Sequence, residues 1–205
     1  MTQDFVHLRM HTEFSIKDGM LNPKKVVHKA IASGMKALAI TDATAMFGDV
    51  IFYKAASAAG IKPILGADCS ITNHYNRDDY LRLLFLARNH QGYLTLCDLL
   101  SRAWLTNQYK DRGEVDLDWI TPEMADGLIV LSGFNTGAIG KAILNGSLSA
   151  AEQEARRLSQ KFPHFFMELQ RVGRPNDEML VAESVKLAKK LGLPVVATQP
   201  IQFEN

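Results

Sequence analysis

Seven short apolar runs, most of them separated by stretches with helical spacing, restrict this chain to very few architectures. The runs cover residues 5–11, 37–42, 62–72, 80–88, 127–133, 165–170 and 194–198. Between them, helical periodicity marks 23–33, 47–59, 91–105, 136–144, 149–162 and 176–191. The boundaries carry helix-terminating chemistry. Asn22 offers a side-chain cap, Pro23 suits the first turn, and Gly34, Gly60, Gly146 and Gly192 stand where helices would end. Strands alternating with helices predict a parallel α/β fold, an open sheet or a barrel. One connection is an exception. Residues 73–79 are too few for a parallel crossover, which needs a dozen residues or more, so the third and fourth strands are expected to be antiparallel neighbours. Residues 106–124 read as a long polar excursion anchored by Trp119, and Tyr93, Leu96, Leu100 and Trp104 as a core-facing stripe.

Bulk properties exclude several classes. A chain of 205 residues can bury a full core, so one domain over 1–205 is expected. The net charge is +1, from 23 basic and 22 acidic residues, which argues against a module that grips nucleic acid unaided. Cys69 and Cys97 form no disulfide framework, consistent with a reducing cytosol. No apolar run reaches the roughly 18 residues of a membrane span, and no secretory pattern precedes the first strand, so a cytoplasmic location is expected. Met1 reads as a native start and the chain stops just after the seventh strand, which suggests the N-terminal piece of something longer.

In such folds, sites assemble at the carboxyl ends of the strands. Strand one brings His7, Arg9 and His11, which strict alternation places on one face, with Glu13 and Asp18 just beyond. Strand two ends in Asp42, strand three carries Asp68, and strand six carries Glu168 and Gln170. An antiparallel fourth strand starts at the same mouth and brings Arg82, while the seventh ends in Gln199, Pro200 and Gln202. Alternating histidines at a strand end suit a metal, but a guanidinium carries only donors and cannot ligate one. Each residue also has a plainer role: His7 as a rim or core histidine, Asp42 as a cap of the following helix, Glu168 as the partner of an arginine. His28, His74, His90 and His164 share no spacing and read as surface residues. No Walker loop, no GxGxxG after a strand and no GxSxG context is present, and neither cysteine has an assignable catalytic partner.

Six segments carry a family resemblance: FVHLRMHTEFSIKDG (5–19), LAITD (38–42), GIKPILGAD (60–68), GLIVLSG (127–133), FMEL (166–169) and VVAT (195–198). In this order they resemble the N-terminal polymerase-and-histidinol-phosphatase (PHP) domains of bacterial DNA polymerase III alpha subunits. The resemblance implies a distorted (β/α)7 barrel, with a polymerase palm and its Mg2+ site beyond residue 205. It also implies a trinuclear metal site in active members. Of those ligand positions this chain keeps His11, Asp18 and Asp68, and departs at Arg9, Ala43, Arg82, Phe134, Pro200 and Gln202. No metal cofactor is therefore expected in this region. Without metals, Asp18, Asp42, Asp68 and Glu168 would repel one another, and Arg9 and Arg82 are placed to replace the lost charge. The resemblance implies a non-catalytic domain that supports the polymerase core and docks the proofreading exonuclease (epsilon) subunit within the holoenzyme. DNA would be reached through the parent subunit. The competing expectation is a metal-dependent phosphoesterase or a 3′–5′ exonuclease.

Overall fold

A computed structural model describes residues 5–203. The expectations attached to Met1 and to the uncovered end at Glu204 and Asn205 lie outside the described residues. In chain order the regular elements are α1 (Pro23–Ala32), β1 (Ala37–Ala43), α2 (Asp49–Ala58), β2 (Lys62–Ile71), β3 (Leu81–Ala87) and α3 (His90–Thr106). A small hairpin follows, β4 (Gln108–Tyr109) and β5 (Arg112–Gly113), and then α4 (Pro122–Asp126), β6 (Leu128–Leu131), α5 (Ala138–Leu144), α6 (Leu148–Lys161), β7 (Phe165–Leu169), α7 (Asp177–Leu191) and β8 (Val195–Ala197). The caps act as their chemistry dictates. Asn22 accepts from Lys24 N and Lys25 N ahead of Pro23, Asn89 accepts from Gly92 N, and Gly192 closes α7 in the left-handed conformation.

One six-stranded sheet, in the order β1-β2-β3-β6-β7-β8, curls into part of a barrel. The pairs β1/β2, β6/β7 and β7/β8 are parallel. β2 and β3 are antiparallel, as the short 73–79 connection requires, and β3 also opposes β6. Side chains alternate across this sheet. Along β2, Ala67, Cys69 and Ile71 join the large cluster under the helices, while Ile64 turns inward to a second cluster with Ala39, Leu84, Leu86 and Leu131. Leu8, Phe166 and Val196 pack on the same inner cluster. This apolar layer fills the barrel up to the ends of the parallel strands. Immediately above it the inward side chains become Arg9, Asp68, Arg82 and Glu168.

The predicted first strand departs from expectation, so among the described residues the curled sheet has six strands instead of seven. Residues 7–11 run extended between the two edges of the sheet. Ala39 N and Thr41 N donate to His7 O and Met10 O, both at 3.0 Å, while His11 N donates to Ile201 O at 2.8 Å. The only ladder contact is an isolated parallel bridge between Met10 and Ile201. A step of two residues on β1 faces a step of three on this segment, which is the signature of a bulge. Thr41 absorbs the mismatch, its hydroxyl taking the Met10 amide at 2.9 Å. The excursion at 106–124 is partly ordered by β4, β5 and Glu114. That carboxylate is fully buried and accepts from Arg77 Nε and Arg112 Nε, both at 2.8 Å. No described helix is long and apolar enough to cross a membrane.

Candidate functional site

The charged layer is built around Arg9, which is 5% exposed. The bulge puts both Leu8 and Arg9 inside the barrel, where the guanidinium spans two strands. Its Nε and Nη2 donate to Glu168 Oε1 and Oε2, each at 2.9 Å, and Nη1 pairs with Asp68 Oδ2. The two-pronged bond to Glu168 is the fork geometry that only arginine supplies. Glu168 accepts further from Thr198 Oγ1 at 2.5 Å, Gln170 Nε2 at 3.0 Å and Gly133 N at 3.1 Å. Gly133 is required there. It has φ +80°, and a Cβ would lie 2.2 Å from Arg82 O.

Asp68 is the second hub. Besides Arg9, His11 Nε2 lies 3.1 Å and Arg82 Nη1 3.4 Å from the same Oδ2. His11 Nδ1 lies 3.0 Å from Asp18 Oδ1, so the ring bridges two carboxylates. Arg82 Nη1 is 3.9 Å from Asp18, and Arg82 Nε and Asp68 Oδ1 are buried without hydrogen-bond partners. With His11 protonated, Arg9, Arg82 and His11 face Asp18, Asp68 and Glu168 in balanced charge. Burial opposes ionisation of Asp68, but Arg9, Arg82 and His11 outweigh it and hold its carboxyl well below the usual range. Glu168 is also lowered: burial again opposes, and the Arg9 charge and hydrogen bonds win, assisted by Thr198 and Gln170. For His11, burial works against the charge, whereas hydrogen bonds to Asp18 and Asp68 together raise its pKa.

That last shift carries a signed prediction. A raised histidine pKa stabilises fully below the unfolded value, near 6.5, and the contribution fades as pH rises through the folded value. Native chain is therefore expected to exceed His11→Gln in unfolding free energy by about 1–3 kcal/mol at pH 6, from two charge-assisted bonds. The gap narrows as pH rises above 6.5, as denaturant titrations at several pH values will register. A gap independent of pH would remove the charged bridge.

Other predicted residues lie elsewhere. Asp42, expected among the arginine-paired carboxylates, instead accepts from Thr12 N at 2.5 Å, Thr12 Oγ1 at 2.8 Å and Ser15 Oγ at 2.7 Å. Nor does it cap α2, whose preceding residue is Gly48. It ties down the turn Glu13–Ser15 that leads to Asp18. His7 does not share the face of Arg9 and His11. The bulge turns it outward, against Phe5, into a cavity of about 520 Å³ that it lines with Leu38, Pro200 and Gln202. Ala43 ends β1 with its amide donating to Ser15 Oγ, and Phe134 is buried in the core under the helices. His28, His74 and His90 are exposed, while His164 is half-buried. The residues that sequence reasoning overlooked are hydroxyls: Thr12, Ser15, Thr41 and Thr198. Their only advance signal was position, next to a strand end that carries an acid.

Of the groups able to hold a metal, His11, Asp18 and Asp68 converge, but both imidazole nitrogens already face carboxylates and Asp68 Oδ2 faces two guanidiniums. The arrangement holds charge in place. A separate exposed group, His74 with Asp116 and Asp118, brings ligand atoms within 4.8 Å of one another, and there His74 Nε2 already pairs with Asp116 at 3.3 Å.

Comparison with known proteins adds to this geometry. A family model described as PHP domain matches residues 7–172. The chain is 46% identical over 205 residues to the DNA polymerase III subunit alpha of Neisseria meningitidis serogroup B, a match covering 97% of this chain and 18% of that protein. It is 41% identical over 200 residues to the DNA polymerase III subunit alpha of Escherichia coli K12, covering 97% and 17%. The chain therefore spans less than a fifth of the length of these relatives. Among solved structures, an amidohydrolase from Chromobacterium violaceum superposes with a TM-score of 0.60 at 14% identity, over 96% of this chain and 87% of that one. That likeness concerns the fold alone.

Proposed function

The chain belongs to the PHP domain family, and on that footing we propose that it is a metal-free, non-catalytic PHP domain of a bacterial DNA polymerase III alpha subunit. In this reading the domain supports the polymerase core and docks the proofreading exonuclease, the epsilon subunit, in the cytoplasm. The parent subunit would be a DNA-directed DNA polymerase, using Mg2+ at a palm beyond residue 205 and contacting DNA there. One observation carries the reading: the Arg9 guanidinium lies across Asp68 and Glu168, where a cluster would need open carboxylate oxygens. The donor set does not fit a multinuclear metal site. A cation placed beside Asp68 would meet the charges of Arg9 and Arg82 at contact distance, and of the expected ligand positions His11, Asp18 and Asp68 are the ones that keep a donor side chain. Similarity to DNA polymerase III alpha subunits over nearly the whole chain supports the choice of parent.

The test pairs two measurements on the purified chain. Elemental analysis, together with phosphatase and 3′–5′ exonuclease assays in added Mn2+ or Zn2+, is expected to find no stoichiometric metal and no turnover above background. Titration with the C-terminal segment of the exonuclease subunit is expected to saturate at one-to-one stoichiometry. Bound metal with metal-dependent turnover would replace this reading with that of a phosphoesterase or exonuclease.

A further inference from the structure

Two features meet on the face built by α1 and α2. The first is an apolar ridge. Phe47, just ahead of α2, is 68% exposed, and Val50, Ile51 and Tyr53 on the helix are 56%, 38% and 52% exposed. Phe47, Val50, Ile51 and Lys54 follow the spacing of one helical stripe. A hollow lies on each side of the ridge. The one toward α1, of about 570 Å³, is walled by Lys24, His28, Ile51, Lys54 and Ala58 among others. The one toward β2 and α3, of about 540 Å³, is walled by Val50, Tyr53, Lys54, Pro63, His90 and Tyr93 among others.

The second feature is unmatched charge. Residues 20–66 carry six lysines, at 24, 25, 29, 36, 54 and 62, no arginine, and two acids. Both acids are turned inward. Asp42 holds the Glu13–Ser15 turn, and Asp49 is 1% exposed with neither carboxyl oxygen hydrogen-bonded. Glu13, ahead of α1, is taken by Asn22 Nδ2. Elsewhere Lys17, Lys110, Lys141, Lys186 and Lys190 each pair with a carboxylate. Among the described residues, Lys24 and Lys54 have no such partner although both are exposed. Exposed apolar side chains gathered in one place and rimmed by polar groups mark an interaction surface, and the sign of the rim selects the partner. We propose that this face docks an acidic amphipathic helix of a partner protein, its apolar stripe seated in the hollows beside α2 and its carboxylates against Lys24 and Lys54. A helix presents apolar side chains at three- and four-residue steps, which suits a ridge flanked by two hollows. A second copy of this chain fits poorly, because pairing the same face with itself opposes lysine to lysine. Nucleic acid fits less well too: the face lacks arginine forks for phosphate, and Val50 and Ile51 cannot stack on bases. Such docking is independent of the metal-free charge layer and of the choice of parent subunit.

Fluorescence anisotropy on the purified chain tests the surface with the labelled peptide acetyl-EALEELLAEALEEL-amide and with its counterpart carrying Lys at every Glu. The acidic peptide is expected to saturate one site, gain helicity on binding, and bind at least about tenfold more tightly than the basic one. Added salt should weaken it. Lys24→Glu combined with Lys54→Glu should reverse the order of the two peptides, a result that loss of folding cannot mimic. Val50→Ser combined with Ile51→Ser should weaken the acidic peptide several-fold; both positions are exposed, so an unchanged thermal melt is expected. Absence of saturable binding by the acidic peptide overturns the proposal, as does a preference that the lysine reversals leave unmoved. Tighter binding of an oligo(dT) strand or of phosphatidylglycerol vesicles than of the acidic peptide, lost in the same lysine variant, would also overturn it and assign the face to nucleic acid or to a lipid surface.

Discussion

Arg9→Met is expected to lower the unfolding free energy by about 3–5 kcal/mol, the usual cost of removing one partner from a buried ion pair. For a chain of this size that corresponds to a fall in melting temperature of roughly 10 °C. The reason lies in what the substitution leaves behind. Glu168 loses a two-pronged partner and Asp68 loses its closest cation, and both sit in a layer closed from below by Leu84, Leu86 and Leu131. Glu168 keeps Thr198, Gln170 and Gly133 N, and Asp68 keeps His11 and Arg82, so the fold should survive. Arg9→Lys preserves the charge but not the fork, and should recover only part of the loss. Combining Arg9→Met with Glu168→Gln should cost less than the sum of the single changes by at least about 1 kcal/mol, because the second change removes the stranded charge. A melting temperature unchanged in Arg9→Met would sink the idea that this arginine holds the carboxylates together.

Asp49→Asn is expected to act in the opposite direction and to depend on pH. In the folded chain Asp49 titrates near pH 8, against about 3.9 when unfolded. Between those values the folded state holds a proton that the unfolded state has lost, so stability declines as pH rises from about 4 to about 8. An asparagine has no such slope. The variant should match the native chain near pH 4 and exceed it by roughly 2–4 kcal/mol at pH 7, as measured by denaturant unfolding. Asp68 and Glu168 carry the reverse sign. Their lowered pKa values stabilise above about pH 4, and the contribution is lost as pH falls below it. Comparing the native chain with Asp49→Asn at each pH cancels that shared acid limb. A difference that stays constant from pH 4 to pH 8 would mean that Asp49 is ionised in the fold.

Much of the architecture was legible in one dimension. Alternating apolar runs and helical stretches located every regular strand of the sheet to within a few residues, because burial of one face imposes the period directly. The antiparallel β2/β3 pair followed from chain length alone, since residues 73–79 cannot span a crossover. The convergence of Arg9, Asp68, Arg82 and Glu168 followed from a rule of position, that inward residues at strand ends share one mouth.

Phase and partner choice were not legible. Strict alternation placed His7 beside Arg9, but one extra residue opposite Thr41 turned His7 outward and put Leu8 and Arg9 together inside. Such a bulge depends on how a neighbouring strand offers its amides, and a local pattern carries no record of that. Asp42 and Asp68 look equivalent at their strand ends, yet one is satisfied by hydroxyls and an amide from the turn above and the other by cations from across the barrel. Asp49 resembles any acid at a helix start until packing closes water out around it. The sequence by itself determined where the strands and helices lie and which strand ends meet at the barrel mouth, through periodicities of two and 3.6 residues. Only the tertiary structure decided which charges pair and which is left alone, because partners as far apart as Arg9 and Glu168, 159 residues along the chain, are chosen by distance and burial in space.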